Sequence, residues 1–180
     1  MNPLLVLVLL TIALSATPSA AQSQQPYAGL EGRSIKALSE QQIADLRAGR
    51  GMGLALAAEL NGYPGPMHVL EMADALDLSD QQRAKMQELF TAMKAEAIPL
   101  GERLITQEAE LDKAFAGKTI TAATLAVSTE AIGATNAALR QAHLKYHLLT
   151  VEALTQAQVQ RYAEIRGYKG GAQHPHRQQH

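Results

Sequence analysis

Cysteine and tryptophan are absent from this 180-residue chain, and two Phe and five Tyr are its only other large aromatics. Without Cys there is no disulfide framework, no cysteine-based zinc ribbon, no thiol nucleophile and no iron–sulfur cluster. The scarcity of rings argues against stacking on nucleic acid. A net charge of −1 argues against a broad phosphate-binding surface. Large apolar residues are also few. Beyond residue 21, Leu, Ile, Val and Phe number 32 of 159, at the low edge for folded chains.

Part of the 47% hydrophobic content is concentrated at the N-terminus. Leu4–Leu14 is an apolar run of about eleven residues, too short to span a bilayer comfortably. Ser19-Ala20-Ala21 follows as a small-x-small cleavage site, so residues 1–21 read as a signal peptide. No Lys or Arg precedes the run, so only the terminal amine supplies positive charge. The expected product is an exported, periplasmic protein whose signal peptide is cleaved. It reaches an oxidising compartment without disulfides, so packing must stabilise it.

The remainder reads as all-α. Residues 22–37 are polar at their start and form a flexible lead. Helical patterning then fills 38–167, and 168–180 is a disordered, His-containing tail. A first helix is expected from Ser39 to about Leu60. Its Gly-rich middle, Ala48–Gly53, allows either close packing of another helix on a Gly49/Gly53/Ala57 face or a break. Asn61–Pro66 is a stop and turn. A short helix follows over about Met67–Leu76, then a long one over Ser79–Ala116 that contains Pro99. Met86, Phe90, Met93, Ala97, Leu100, Leu104 and Leu111 alternate by four and three, as in an antiparallel helical seam. A second long helix over Thr121–Ala153 carries Leu125, Ile132, Leu139 and Tyr146 at heptad spacing. The last spans Thr155–Arg166. The architecture expected is an extended antiparallel hairpin with short flanking helices. Its seam is thin and Ala-rich, which favours further burial by homodimerisation.

One pattern recurs three times: Leu38-Ser39-Glu40-Gln41-Gln42, Leu78-Ser79-Asp80-Gln81-Gln82 and Leu154-Thr155-Gln156-Ala157-Gln158. In each, the hydroxyl of Ser39, Ser79 or Thr155 caps a helix N-terminus, while Gln42, Gln82 or Gln158 reaches back to the cap's own N–H. The leading Leu38, Leu78 or Leu154 is placed to staple onto the first turn. Taken singly the motif needs no function. Three copies on an exported, Cys-free helical chain resemble the periplasmic Spy/CpxP family, with its L-T-x-x-Q signature. They also resemble the related zinc-resistance-associated and nickel/cobalt-sensor proteins. The resemblance covers roughly Met67–Gly167. It implies a curved hairpin that dimerises into a cradle and binds unfolded or misfolded envelope proteins without ATP. Other members of that group partner an envelope-stress sensor kinase or bind metal, and an anti-sigma partner is a related expectation. The Spy-like cradle is basic, whereas this chain is near neutral. Its positive charge is biased to residues 116–180, with seven basic against three acidic side chains.

Candidate chemistry rests on histidines. His143 and His147 are four apart, so both rings leave one helix face. On a wheel they lie at about 40° and about 80° from Leu139, at the edge of the apolar seam. Two ligands do not complete a site. His68, Glu71, Met67 or Met72, or a second subunit, would supply the rest. Met with His suits copper or nickel, and carboxylate with His suits zinc. Otherwise the two rings simply cover the seam. His174, His176 and His180 in the tail add weak metal-capturing capacity. Met52, Met67, Met72, Met86 and Met93 offer a soft, adaptable surface for apolar clients, although Met86 and Met93 fit the core better. No cofactor is required by these readings; Zn, Cu or Ni would be the metals bound. No phosphate loop, H-E-x-x-H or G-x-S-x-G occurs, so an enzyme is not expected.

Overall fold

A computed structural model describes residues 27–168. The expected signal peptide and the tail histidines His174, His176 and His180 lie outside the described residues. Within them there are six α-helices and no strand: α1 (Glu40–Arg47), α2 (Leu56–Glu59), α3 (Pro66–Glu71), α4 (Asp80–Ala116), α5 (Ala122–Glu152) and α6 (Gln156–Ile165).

The three repeated motifs open α1, α4 and α6. Ser39, Ser79 and Thr155 are extended N-caps, and each forms a complete capping box with Gln42, Gln82 or Gln158. These boxes satisfy amide donors that a helix start leaves without partners. Thr121 and Thr124 build the same box at the start of α5. The staple is visible at α1, where Leu38 and Ile43 are buried in one cluster.

α4 and α5 form the antiparallel hairpin, joined at Gly117–Thr121. The register is marked by Gln82 against the Ala153 carbonyl (3.1 Å) and Lys145 against Glu96 (2.5 Å), and by Leu104 clustering with Leu139. Pro99 lies inside α4 and removes one backbone donor without ending the helix. Met86, Met93, Ala97 and Leu104 are buried as the seam predicts. Towards the hairpin tip the apolar residues are bare. Phe115, Leu125 and Val127 are exposed, Val127 at 68%.

The core has two parts. One gathers Val69, Ala73, Leu76 and Leu78 with Met86, Leu89, Met93, Tyr146 and Tyr162, and so welds α3 and α6 to the open end of the hairpin. The other gathers Ile35, Leu38, Ile43 and Leu46 on Ala97, Leu104, Ile105 and Leu139. Gly101 makes this second contact possible. A Cβ there would lie 2.5 Å from the Leu46 carbonyl oxygen, so only Gly lets α1 approach α4 this closely.

Two expectations need correction. The first helix does not run from Ser39 to Leu60. It ends at Arg47, and the chain turns through Gly49 (φ +64°), Met52 (φ +43°) and Gly53 (φ +84°) before α2. Left-handed backbone is cheap for Gly and incompatible with a continued right-handed helix. Gly49 does allow close packing, with a Cβ position 3.1 Å from the Ile98 side chain, but as part of this break. The lead also ends earlier than Ala37. Leu30–Gly32 is a 3₁₀ turn, and Ile35 is buried against the hairpin.

Candidate functional site

The break between α1 and α2 arches over the hairpin and leaves a cavity of about 480 Å³. Its walls come from the 48–56 segment, the start of α3 (Gly65–His68), Phe90, Met93 and Lys94 on α4, and His143 and His147 on α5. Most of the lining is apolar, with Met52, Leu56, Met67, Phe90 and Met93 among it. The few polar groups are therefore conspicuous.

His143 and His147 are buried rather than set at the edge of the apolar seam, where the wheel puts them. They are 3% and 8% exposed. The segments before α2 and α3 lie over this face of α5. A Cβ on Gly51 would sit 3.5 Å from His143 Nδ1, and one on Gly65 would sit 2.9 Å from both Cε1 and Nε2 of His147. Two glycines thus pave the two imidazoles. The Tyr63 carbonyl lies 2.6 Å from His147 Nδ1. A carbonyl only accepts, so Nδ1 carries a proton, and in the neutral ring Nε2 keeps its lone pair. His143 has no hydrogen-bond partner among the described residues, and its Nε2 is fully buried. Burial, and then the neighbouring His147, hold the His143 pKa below the ordinary 6.5.

Of the other expected site residues, His68 and Met67 reach the cavity. Glu71 does not line it but pairs with His68 Nδ1 at 2.9 Å. Met72 packs instead against the core cluster that joins α3 and α6 to the hairpin. Met52 and Met67 are exposed at the mouth, Met93 lines the wall, and Met86 is core. Among the described residues no three His, Cys, Asp or Glu side chains gather as a metal-binding group.

Glu59 is the site residue that sequence reasoning missed. It is a buried carboxylate on α2 that lines the cavity. Tyr162 donates a short hydrogen bond to it, Tyr168 donates another at 2.9 Å, and the Gly65 amide donates to Oε2 at 3.3 Å. Arg166 Nε stands 3.8 Å away. Burial, and then this bond, push the Tyr162 phenol above its ordinary pKa. Glu59 therefore ties α2 and the start of α3 to the last helix. Its side-chain partners Tyr162, Tyr168 and Arg166 are about a hundred residues away in sequence, and no local pattern announces them.

The two family-type motifs also meet in space. Gln82 Nε2 donates to Gln158 Oε1 (2.8 Å), and Gln158 Nε2 donates to Gln82 Oε1 (3.0 Å). Among known proteins, the LTXXQ motif family matches residues 65–166, a range that contains both of these motifs. The chain belongs to the LTXXQ motif family. The match begins at the glycine beside His147 and ends at Arg166, so it takes in the hairpin, α3, α6 and both paired motifs. The 48–59 segment that roofs the cavity lies outside it. No curated protein and no solved structure matches the chain. LTXXQ family members are typically periplasmic, and no helix among the described residues is long and apolar enough to cross a membrane. The family supports a Spy/CpxP-like periplasmic protein in general terms.

Proposed function

We propose that this protein binds exposed apolar segments of misfolded envelope proteins, without ATP, at the methionine-lined groove between the 48–67 segment and the hairpin. One observation carries the reading. Met52, Leu56, Leu60, Tyr63 and Met67 all stand between 39% and 57% exposed, and three of them line the cavity. Large apolar side chains clustered around a concave surface mark an interaction site. Flexible thioethers adapt to varied partners. The basic side chains Arg50 and Lys94 beside the groove favour clients with acidic flanks. A homodimer would extend this surface into a cradle, as the resemblance implies.

The test is light scattering from an aggregating client, without nucleotide, at substoichiometric to equimolar ratios. The parent should suppress aggregation, and Leu56→Lys/Met67→Lys should not, with helical circular dichroism unchanged. Unaltered aggregation with the parent would defeat the reading.

A second reading is heavy-metal binding or sensing at the same cavity. It is supported by the His147 tautomer, which leaves Nε2 with a free lone pair beside an unpartnered His143. Calorimetric titration with zinc, copper and nickel checks it. The absence of any sub-millimolar site, or no effect of His143→Ala/His147→Ala, counts against it.

A further inference from the structure

We propose that the cavity is built for a soft monovalent metal ion, Cu(I) or Ag(I), held by thioether and imidazole donors. This rests on the second reading above and narrows it to a chemical class.

The donor set decides the class. Three methionines (Met52, Met67 and Met93) and the imidazoles of His143 and His147 line one cavity. All five are neutral ligands, and thioethers select soft ions such as Cu(I) over hard or borderline ones. The nearest carboxylates are already engaged, although Glu59 lines the cavity with Oε2 3.8 Å from His147 Nδ1. Glu59 accepts from Tyr162, Tyr168 and the Gly65 amide, and Glu71 is paired with His68. Lys94 also lines the cavity, and it makes no ion pair among the described residues. Its repulsion is twice as large for a divalent ion as for a monovalent one at the same distance.

The local geometry leaves ring nitrogens without protein hydrogen-bond partners among the described residues. His147 presents its Nε2 edge to Gly65, where any side chain would collide. His143 faces Gly51 and has no protein partner for either ring nitrogen among the described residues. The Gly-rich stretch Gly49–Gly53, a mere break as far as the fold is concerned, places Met52 at the cavity with φ +43°. A bulky residue in left-handed backbone is strained, and such strain concentrates at ligand sites. Methionine has three rotatable side-chain bonds, so Met52 and Met67 at the mouth can swing inward.

The experiment titrates the full purified protein with Cu(I) under anaerobic conditions against the chromophoric chelator bicinchoninate, and with Ag(I), Zn(II) and Ni(II) by calorimetry. One Cu(I) should bind per chain, with Zn(II) and Ni(II) about a hundredfold weaker or more. Met52→Leu/Met67→Leu, which conserves volume, should lower Cu(I) affinity about tenfold or more while leaving helical content in place. His174→Ala/His176→Ala/His180→Ala should leave Cu(I) affinity unchanged. Zinc binding as tight as Cu(I), indifferent to the methionine pair, would overturn the soft-metal assignment and leave the histidine reading standing. Failure of every ion to bind would overturn both. Loss of Cu(I) binding in the tail variant alone would move the site out of the cavity and overturn the proposal.

Discussion

The side-chain amides of Gln82 and Gln158 pair reciprocally across the open end of the hairpin, each donating to the other. Each Oε1 also accepts from the N–H of its own cap residue, Ser79 or Thr155. Each Nε2 donates a second bond, Gln82 to the Ala153 carbonyl and Gln158 to the Leu76 carbonyl. Both amides are thus fully satisfied. The L-[ST]-x-x-Q motif therefore caps two helices and fastens their starts together with one set of atoms. This explains the need for Gln at the third helical position, where Glu would serve a capping box alone. Two carboxylates could not donate to one another.

Removing either amide leaves its partner short of two half-buried bonds. Gln82→Ala and Gln158→Ala should each cost about 1–3 kcal/mol. In a double-mutant cycle by urea denaturation the pair should couple by about 0.5–3 kcal/mol. Additive effects would mean that the two boxes act as separate caps.

Two glycines within helices should respond with opposite sign. Gly133 in α5 has nothing within 4 Å of a Cβ position, so Gly133→Ala should stabilise by about 0.5–1 kcal/mol through helix propensity. Gly101 in α4 faces the Leu46 carbonyl at 2.5 Å. Gly101→Ala should instead destabilise by about 1–3 kcal/mol, because backbone must move to admit the methyl group. Thermal melts of the two variants give the comparison, and stabilisation at Gly101 would contradict the close docking of α1.

Much of this fold was legible in the sequence, because its signals are local. The capping boxes place the starts of α1, α4 and α6, and the four-and-three spacing of Met86, Met93, Ala97 and Leu104 identifies the hairpin seam. The first helix was misjudged because propensity treats Gly49 and Gly53 as weak helix residues, whereas their positive φ makes them turn residues. The histidine pair was found from its i, i+4 spacing. Its burial was not, because Gly51 and Gly65 cover it from segments about eighty or more residues away. Glu59 escaped for the same reason. A helical wheel describes one helix, and these contacts belong to the way several helices meet.

Glu59 is the point through which α2 and the start of α3 hold the C-terminal helix. Glu59→Ala leaves the Tyr162 hydroxyl buried without its acceptor, and should cost about 3 kcal/mol or more. Tyr162→Phe with Glu59→Leu removes both polar partners and should recover part of that loss. Amide hydrogen exchange in the Glu59→Ala variant should rise first in α6 and around Gly65. Uniform loss of protection would argue against a local clasp.

Stability should fall on acidification through His143. Its folded pKa lies below the ordinary 6.5, chiefly because burial disfavours the imidazolium. Below about pH 6.5 the unfolded chain takes up a proton at this ring more readily than the folded one, so the unfolded state binds more protons and stability rises with pH. The contribution is complete above the unfolded value and is lost progressively as the pH falls from there towards the folded value. Urea midpoints between about pH 7.5 and about pH 5 should therefore drop in the parent. They should drop less in His143→Phe, whose ring fills the same space without titrating. Phe also removes a nitrogen that is buried without a partner, so its stability at pH 7.5 should be close to that of the parent. An equally steep decline in the variant would show that other groups govern the acid response and that His143 is not confined by the glycine-paved wall.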